Sequence, residues 1–265
     1  MKARGFTLVE LLVVISIITI LMSLALPALN SARARARTTL CQTHIRNLML
    51  EFEQYAQSEN GAFPPGAIFG LSHNPTGGAA GDRTIDVSGW WWFDLLNAVN
   101  HSDLRNSGLL ECPAKHLDAY SFNRSLLRGN YGVNEALCVF TYTTYPGRPL
   151  VYRARFRHEF RHLASTLLIA DSGYTRVSWM TATAEPPEPM RDADPDTVYI
   201  PGMGINKQRE LVDGVADDAI AGRHPGKTVN VGFADGHIER KRADALLVEK
   251  RDDDTYTNIN PLWEP

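Results

Sequence analysis

Among the residues able to do chemistry, His224, Asp235 and His237 lie close together in the chain. Imidazole and carboxylate suit zinc or iron, and such a set would serve a metal-dependent hydrolase. Local roles account for the same residues. Asp235 opens an Asp-Gly pair, a turn former, and His237 follows it at the start of a strand. Asp171, in Asp171-Ser172-Gly173, reads as a turn residue for the same reason. The three cysteines, Cys41, Cys112 and Cys138, form no C-x-x-C pair and hence no zinc knuckle. Cys112 precedes a proline, and no histidine is placed to activate it. The chain holds no G-x-S-x-G, no H-E-x-x-H, no glycine-rich phosphate loop and no EF-hand loop. Asp213, Asp217 and Asp218, like Asp252, Asp253 and Asp254, lack the spacing of a calcium loop and read as solvated acid. No catalytic set, metal site or cofactor is expected.

Glu10 is a different case. Leu11 to Leu26 runs sixteen residues without a charge, and the 24 residues from Phe6 to Leu29 are interrupted only by Glu10 and small polar groups. Roughly 20 helical residues cross a bilayer core, so a membrane span is expected over about 6–29. A carboxylate inside such a span costs on the order of 2.5–3.5 kcal/mol and marks function. The basic head Met1-Lys2-Ala3-Arg4-Gly5, with small residues at Ala28 to Ala32, would also suit a cleaved secretory signal. A disposable signal, however, has no use for Glu10. Charge does not orient the span, because Lys2 and Arg4 before it face Arg33, Arg35 and Arg37 after it. Arg33 and Arg37 share a helix face at four residues' spacing and read as snorkelling or solvated charge.

Gly5-Phe6-Thr7-Leu8-Val9-Glu10-Leu11-Leu12 resembles the type IV prepilin cleavage motif, shared by pilins and the pseudopilins of type II secretion. The resemblance implies a leader over residues 1–5, cut by a prepilin peptidase between Gly5 and Phe6 at the cytoplasmic face, with Phe6 then N-methylated. It also implies an N-terminus inside and a head outside the inner membrane. Its partners would be that peptidase, inner-membrane lipid, other pilin-like subunits or copies of itself, and the secretion or pilus assembly machinery. Glu10 would direct assembly. A buried carboxylate needs a positive partner, and the new α-amino group of a neighbouring subunit can supply one. Pro27, inside the helix, removes a backbone hydrogen bond and is expected to kink it within the assembly.

A second resemblance lies near the C-terminus. His224 followed by Asp235-Gly236 is similar to the signature of a large family of bacterial prepilin-like proteins, with ten intervening residues here in place of that family's nine. No biochemical role attaches to this motif. Cys41 and Cys112 sit at family-like positions, and the resemblance makes them the pair expected to form a disulfide. Cys138, inside the apolar run Ala136 to Phe140, reads as a buried thiol.

Several elements must carry these residues. Cys41, Ile45, Leu48, Phe52 and Tyr55 recur at helical spacing, so the helix begun in the membrane is expected to continue to about Glu59, where Asn60-Gly61 and Pro64-Pro65 end it. The remainder reads as short strands among loops. Leu167 to Ala170 is one strand. Val229 to Phe233 and His237 to Arg240 flank Asp235-Gly236 as a hairpin, for which a type I′ turn is expected. Glu185 to Pro201 is rich in proline and acid and reads as a long surface loop. Trp90-Trp91-Trp92-Phe93 is expected to pack in the core, with a helix starting near Asp94.

The expected fold is α+β: one N-terminal helix, transmembrane and then amphipathic over residues 6–60, packed on a small antiparallel-sheet head over residues 61–265, as in pilins. The expected function is structural, as a subunit or accessory of a type IV pilus or type II secretion-like filament. Two other readings stay open, a surface module that binds polysaccharide or protein and uses the pilin segment for export, and the hydrolase. Lys and Arg number 27 against 30 Asp and Glu, which excludes the basic excess of a nucleic-acid binder.

Overall fold

In the computed structural model, the described residues are 7–69, 89–114, 122–123, 126–127, 131–142, 155–172, 175–182, 224–246, 248, 251–253 and 255–265. Gly5, Phe6, the 185–201 loop and Asp213, Asp217 and Asp218 lie outside them.

One helix, α1 (Leu8–Ser58, 51 residues), passes through two environments. Every residue from Thr7 to Arg33 is exposed, including the large apolar side chains from Leu8 to Leu29. A helix apolar all round is not satisfied by one protein face, and this stretch is long and apolar enough to cross a membrane. Beyond that stretch the apolar stripe takes over, and Thr38, Cys41, Ile45, Leu48, Met49, Phe52, Tyr55 and Ala56 are buried. Pro27 lies inside the helix. The end is local chemistry. Asn60 and Gly61 adopt positive φ (55° and 85°), and the Gly61 amide donates back to the Ala56 carbonyl.

The head is built around a five-stranded sheet in the order β10 (Ile238–Arg242), β9 (Thr228–Phe233), β7 (Leu167–Asp171), β5 (Tyr131–Asn134), β8 (Arg176–Val177). The first four strands are antiparallel neighbours, and β8 joins β5 in parallel. A second sheet sets β1 (Ala67–Phe69) between β2 (Gly89–Trp91) and β6 (Phe140–Tyr142), and β3 (Phe122–Asn123) pairs with β4 (Leu126–Leu127). The fold is α+β, as expected.

α1 packs on β9, on β10 and on α2 (Trp92–Asn100). The tryptophan run resolves in this contact. Trp91 ends β2, Trp92 stacks on Phe52 of α1 at 5.5 Å between ring centroids, and Phe93 meets Trp92 edge-on. The helix start expected near Asp94 falls at Trp92, with Asp94 accepting from the Trp91 amide. Two apolar layers flank the main sheet. Ile169 and Leu168 face α1 with Cys41, Ile45, Leu48 and Phe52, whereas Leu167, Ala170, Val229, Val231 and Phe233 face away, against Leu246 and Trp263. A bulge between Leu167 and Ile169 lets β7 serve both layers without strict alternation.

The 233–237 connection departs from the expected turn. Gly236 alone has positive φ, at 101°, so the type I′ condition of two such residues is unmet. The Gly236 amide donates to the Phe233 carbonyl and the Phe233 amide to the His237 carbonyl, closing a three-residue loop whose left-handed position needs the glycine.

Gly232 decides how closely α1 approaches the sheet. A Cβ there would stand 2.8 Å from the Met49 sulfur, 2.9 Å from Ile169 Cγ2 and 3.2 Å from Ile45 Cγ2. Gly232→Ala is therefore expected to push the helix off β9 and lower stability by about 1–3 kcal/mol, read as an earlier denaturation midpoint of the detergent-solubilised chain.

Candidate functional site

Among the described residues, two places concentrate chemistry. The first is the start of α1. Thr7 caps the helix, with its hydroxyl accepting from the Glu10 amide at 3.2 Å while the Glu10 carboxylate accepts from the Thr7 amide at 2.9 Å and the Thr7 hydroxyl at 2.8 Å. This is a reciprocal capping box. In the single chain, then, Glu10 is held by its own helix end, with its carboxylate exposed.

The second lies where α1 enters the head. Cys41, Cys112, Asp171 and His224 converge, all buried, with their sulfur, oxygen and nitrogen atoms within 4.8 Å of one another. Each comes from a different segment held by its own device. Cys41 sits on the buried stripe of α1, one turn past Thr38. Cys112 ends a loop fastened to α2. Asp94, fully buried, takes both Arg105 nitrogens at 2.7 and 2.8 Å, Asn97 accepts from the Leu104 amide at 2.8 Å, and His44 of α1 meets the Glu111 carbonyl at 2.9 Å. Asp171 is the last residue of β7, across from Tyr131 of β5. His224 precedes β9 and pairs back on Thr228 through a turn with Gly226 and Lys227 at positive φ (77° and 55°), which aims the imidazole inward.

The contacts inside are dense. The Cys41 thiol donates to Asp171 Oδ1 at 2.9 Å and lies 3.3 Å from the Tyr131 hydroxyl. Asp171 Oδ2 accepts from the Asn230 amide at 2.7 Å and stands 2.9 Å from His224 Nε2. His224 Nδ1 is 3.3 Å from the Thr38 hydroxyl, which itself donates to the Ala34 carbonyl, so Nδ1 is the donor. Burial pushes the Cys41 thiol far up, helped by the neighbouring Cys112 and Asp171, and burial likewise lifts Tyr131. Burial by itself lowers His224, but the neighbouring Asp171 carboxylate and Cys112 outweigh it and lift the group to about 9.

The residues singled out in the sequence fall into separate groups. Cys41 and Cys112 are brought together, as thiols. Cys138 is a fully buried thiol elsewhere in the core, pushed up by burial. His224 is in the cluster, but Asp235 and His237 are not. They pair with each other at 2.6 Å on the exposed hairpin loop, His237 stacking on Phe233. The hydrolase reading required His224, Asp235 and His237 to converge, and they do not. Asp171 was read as a turn residue, and nothing in the sequence tied Tyr131, Asn230 or Thr38 to it. The available clue was Asn230, a polar residue between Val229 and Val231 in the buried part of a strand.

The first 26 residues match the family model described as the prokaryotic N-terminal methylation motif. Over 62 residues the chain is 41% identical to the type IV wide pilus major component PilA4 of Thermus thermophilus, a stretch covering 23% of this chain and 47% of that protein. The chain thus spans about half the length of the curated relative it matches. No solved structure matches. Over those 62 residues the chain is similar to a type IV pilin, and it joins the N-terminal methylation motif to an apolar helix long enough to cross a membrane and to an α+β head.

Asp171→Ala strips partners from Cys41, His224 and the Asn230 amide at once and is expected to cost about 3 kcal/mol or more. Asp235→Ala removes only an exposed turn contact and is expected to cost about 1 kcal/mol. Denaturant titration of the two variants side by side checks the ranking.

Proposed function

We propose that this protein is a structural pseudopilin-like subunit or accessory of a type IV pilus or type II secretion-like filament. Prepilin peptidase removes residues 1–5 and leaves Phe6 as the methylated N-terminus. The single-pass helix then sits in the inner membrane over about residues 6–29, with the N-terminal side cytoplasmic and the head, residues 61–265, periplasmic or at the cell surface. The observation that carries this reading is the two-environment helix. Its exposed apolar half holds one carboxylate, Glu10, and continues without a break into the half that the head buries.

The capping box gives Glu10 a mechanism. In the single chain its carboxylate is satisfied by Thr7, which lowers the cost of carrying it in the membrane. A neighbouring subunit's α-amino group offers a full charge in place of these two donors, so the exchange favours association where the surroundings are apolar. Pro27 lets the exposed half adjust its path among neighbouring helices. Exposed tryptophans would favour the surface-module alternative; Trp91, Trp92 and Trp263 are buried in the core and Trp179 is partly buried.

Intact mass and N-terminal sequencing of the protein from its native membrane fraction are expected to show a chain beginning at methylated Phe6. A start near Arg33 would mean an ordinary secreted protein and end the filament reading. Glu10→Ala is expected to be cleaved nearly as well as the wild type but to yield few or no filaments, scored by shearing and immunoblotting. Normal filaments from that variant would remove Glu10 from assembly.

A further inference from the structure

We propose that Cys41, Cys112, Asp171 and His224 form a mononuclear zinc site that fastens the membrane-proximal end of the head to α1. The proposal does not rest on the filament reading.

The donor set is the first argument. Two sulfurs, one imidazole and one carboxylate are the atom types zinc takes in closed tetrahedral sites. They come from four segments far apart in sequence and meet in a buried volume where all donor atoms lie within 4.8 Å of one another. A zinc tetrahedron with bonds of about 2.0–2.3 Å has ligand-to-ligand edges of about 3.3–3.8 Å. Cys41 Sγ stands 2.9 Å from Asp171 Oδ1 and His224 Nε2 2.9 Å from Asp171 Oδ2, so whichever oxygen binds, that edge needs to open by only about half an ångström. The Cys41 sulfur is not turned only toward Cys112, since its thiol donates to Asp171.

The surrounding shell is the second argument. Metal-bound imidazole characteristically donates its other N–H to a fixed acceptor, and ligating carboxylates are themselves hydrogen-bonded. Here His224 Nδ1 donates to Thr38, leaving Nε2 toward Asp171, and Asp171 Oδ2 is held by the Asn230 amide at 2.7 Å. The Tyr131 hydroxyl lies 3.3 Å from the Cys41 sulfur, placed to donate to a thiolate.

The third argument is that the hydrogen bonds do not close by themselves. Asn230 Nδ2 stands 2.9 Å from His224 Nε2, while Asn230 Oδ1 is buried without a partner. Turning the amide over exchanges one orphan for another. A fully buried orphan at the rim of two thiols, a carboxylate and an imidazole calls for a group that reorders the contacts, and an ion is one such group.

A metal here would close loops running from residue 41 to residue 224, and long closures gain most from a clip. It would also pin α1 at the point where the helix leaves the head.

The test uses the full chain, extracted in detergent from its native membranes without chelator or metal-affinity steps. Elemental analysis is expected to find about one zinc per chain. Cys41→Ser, Cys112→Ser and His224→Gln are expected to lose it, and Cys138→Ser, a buried thiol outside the cluster, to keep it. Because buried variants can misfold, the wild type is also stripped with a chelator and reloaded with cobalt(II) alone. Sulfur-to-cobalt charge-transfer absorption with the intense visible bands of tetrahedral cobalt is the expected result, and Tyr131→Phe should weaken cobalt affinity by about tenfold. A chain that carries no zinc and shows no such absorption overturns the proposal. A Cys41–Cys112 disulfide found by non-reducing peptide mass spectrometry of the native protein overturns it as well.

Discussion

The structure depends on one helix being satisfied by two different surroundings. α1 has to be apolar on every side before Arg33 and apolar on one side after Thr38, and nothing in the backbone marks the change. The head meets this demand by presenting the face of β9 with a glycine at the contact. Without a Cβ at Gly232, Met49 and Ile45 of the helix and Ile169 of the neighbouring β7 close over the strand. The inner face of β9 thereby becomes a seat for the helix: Asn230, Gly232 and Ala234 toward α1, with Val229, Val231 and Phe233 toward the opposite layer. Close approach brings apolar contact, and it also buries whatever polar groups lie at the end of the seat.

Those groups are Thr38, Cys41, Asp171, His224 and Asn230, all but fully buried. A purely apolar end to the interface would be more stable by simple burial. The polar cluster adds direction instead. Polar contacts among side chains from the helix, two strands and two loops are directional and hold one arrangement, whereas apolar packing tolerates small slides. The Asp94–Arg105 pair and Asn97 extend the same logic outward by fixing the loop that delivers Cys112.

Much of this was legible in the sequence where local physics governs. The stripe from Cys41 to Tyr55, the stop at Asn60-Gly61, the strand at Leu167 and the hairpin around Asp235-Gly236 follow from periodicity and turn chemistry, and all four stand in the structure. The turn type was missed because Asp-Gly suits either a two-residue loop or a three-residue loop with glycine last, and strand register chooses between them. The cluster was illegible for another reason. Asp171 at a strand end and His224 before a Pro-Gly turn each have a sufficient local explanation, and only the order β10-β9-β7-β5 makes them neighbours. Proximity of His224 to Asp235 in sequence pointed the wrong way, since one faces the helix and the other faces solvent.

The position of the cluster bears on how a head can be used. Along a helix each residue turns the side chain by about 100°, so a slip of α1 by one residue would swing Cys41 away from Asp171 and His224 and break their contacts together. The cluster therefore reads the rotational setting of the stem where it emerges from the head, something the apolar contacts at Phe52 and Tyr55, a few turns further on, constrain less sharply. In an assembly held by the exposed half of α1, the angle between stem and head decides where every head points. A rigid polar junction at Thr38 and Cys41 converts the packing of stems into a defined arrangement of heads, and a flexible one would not.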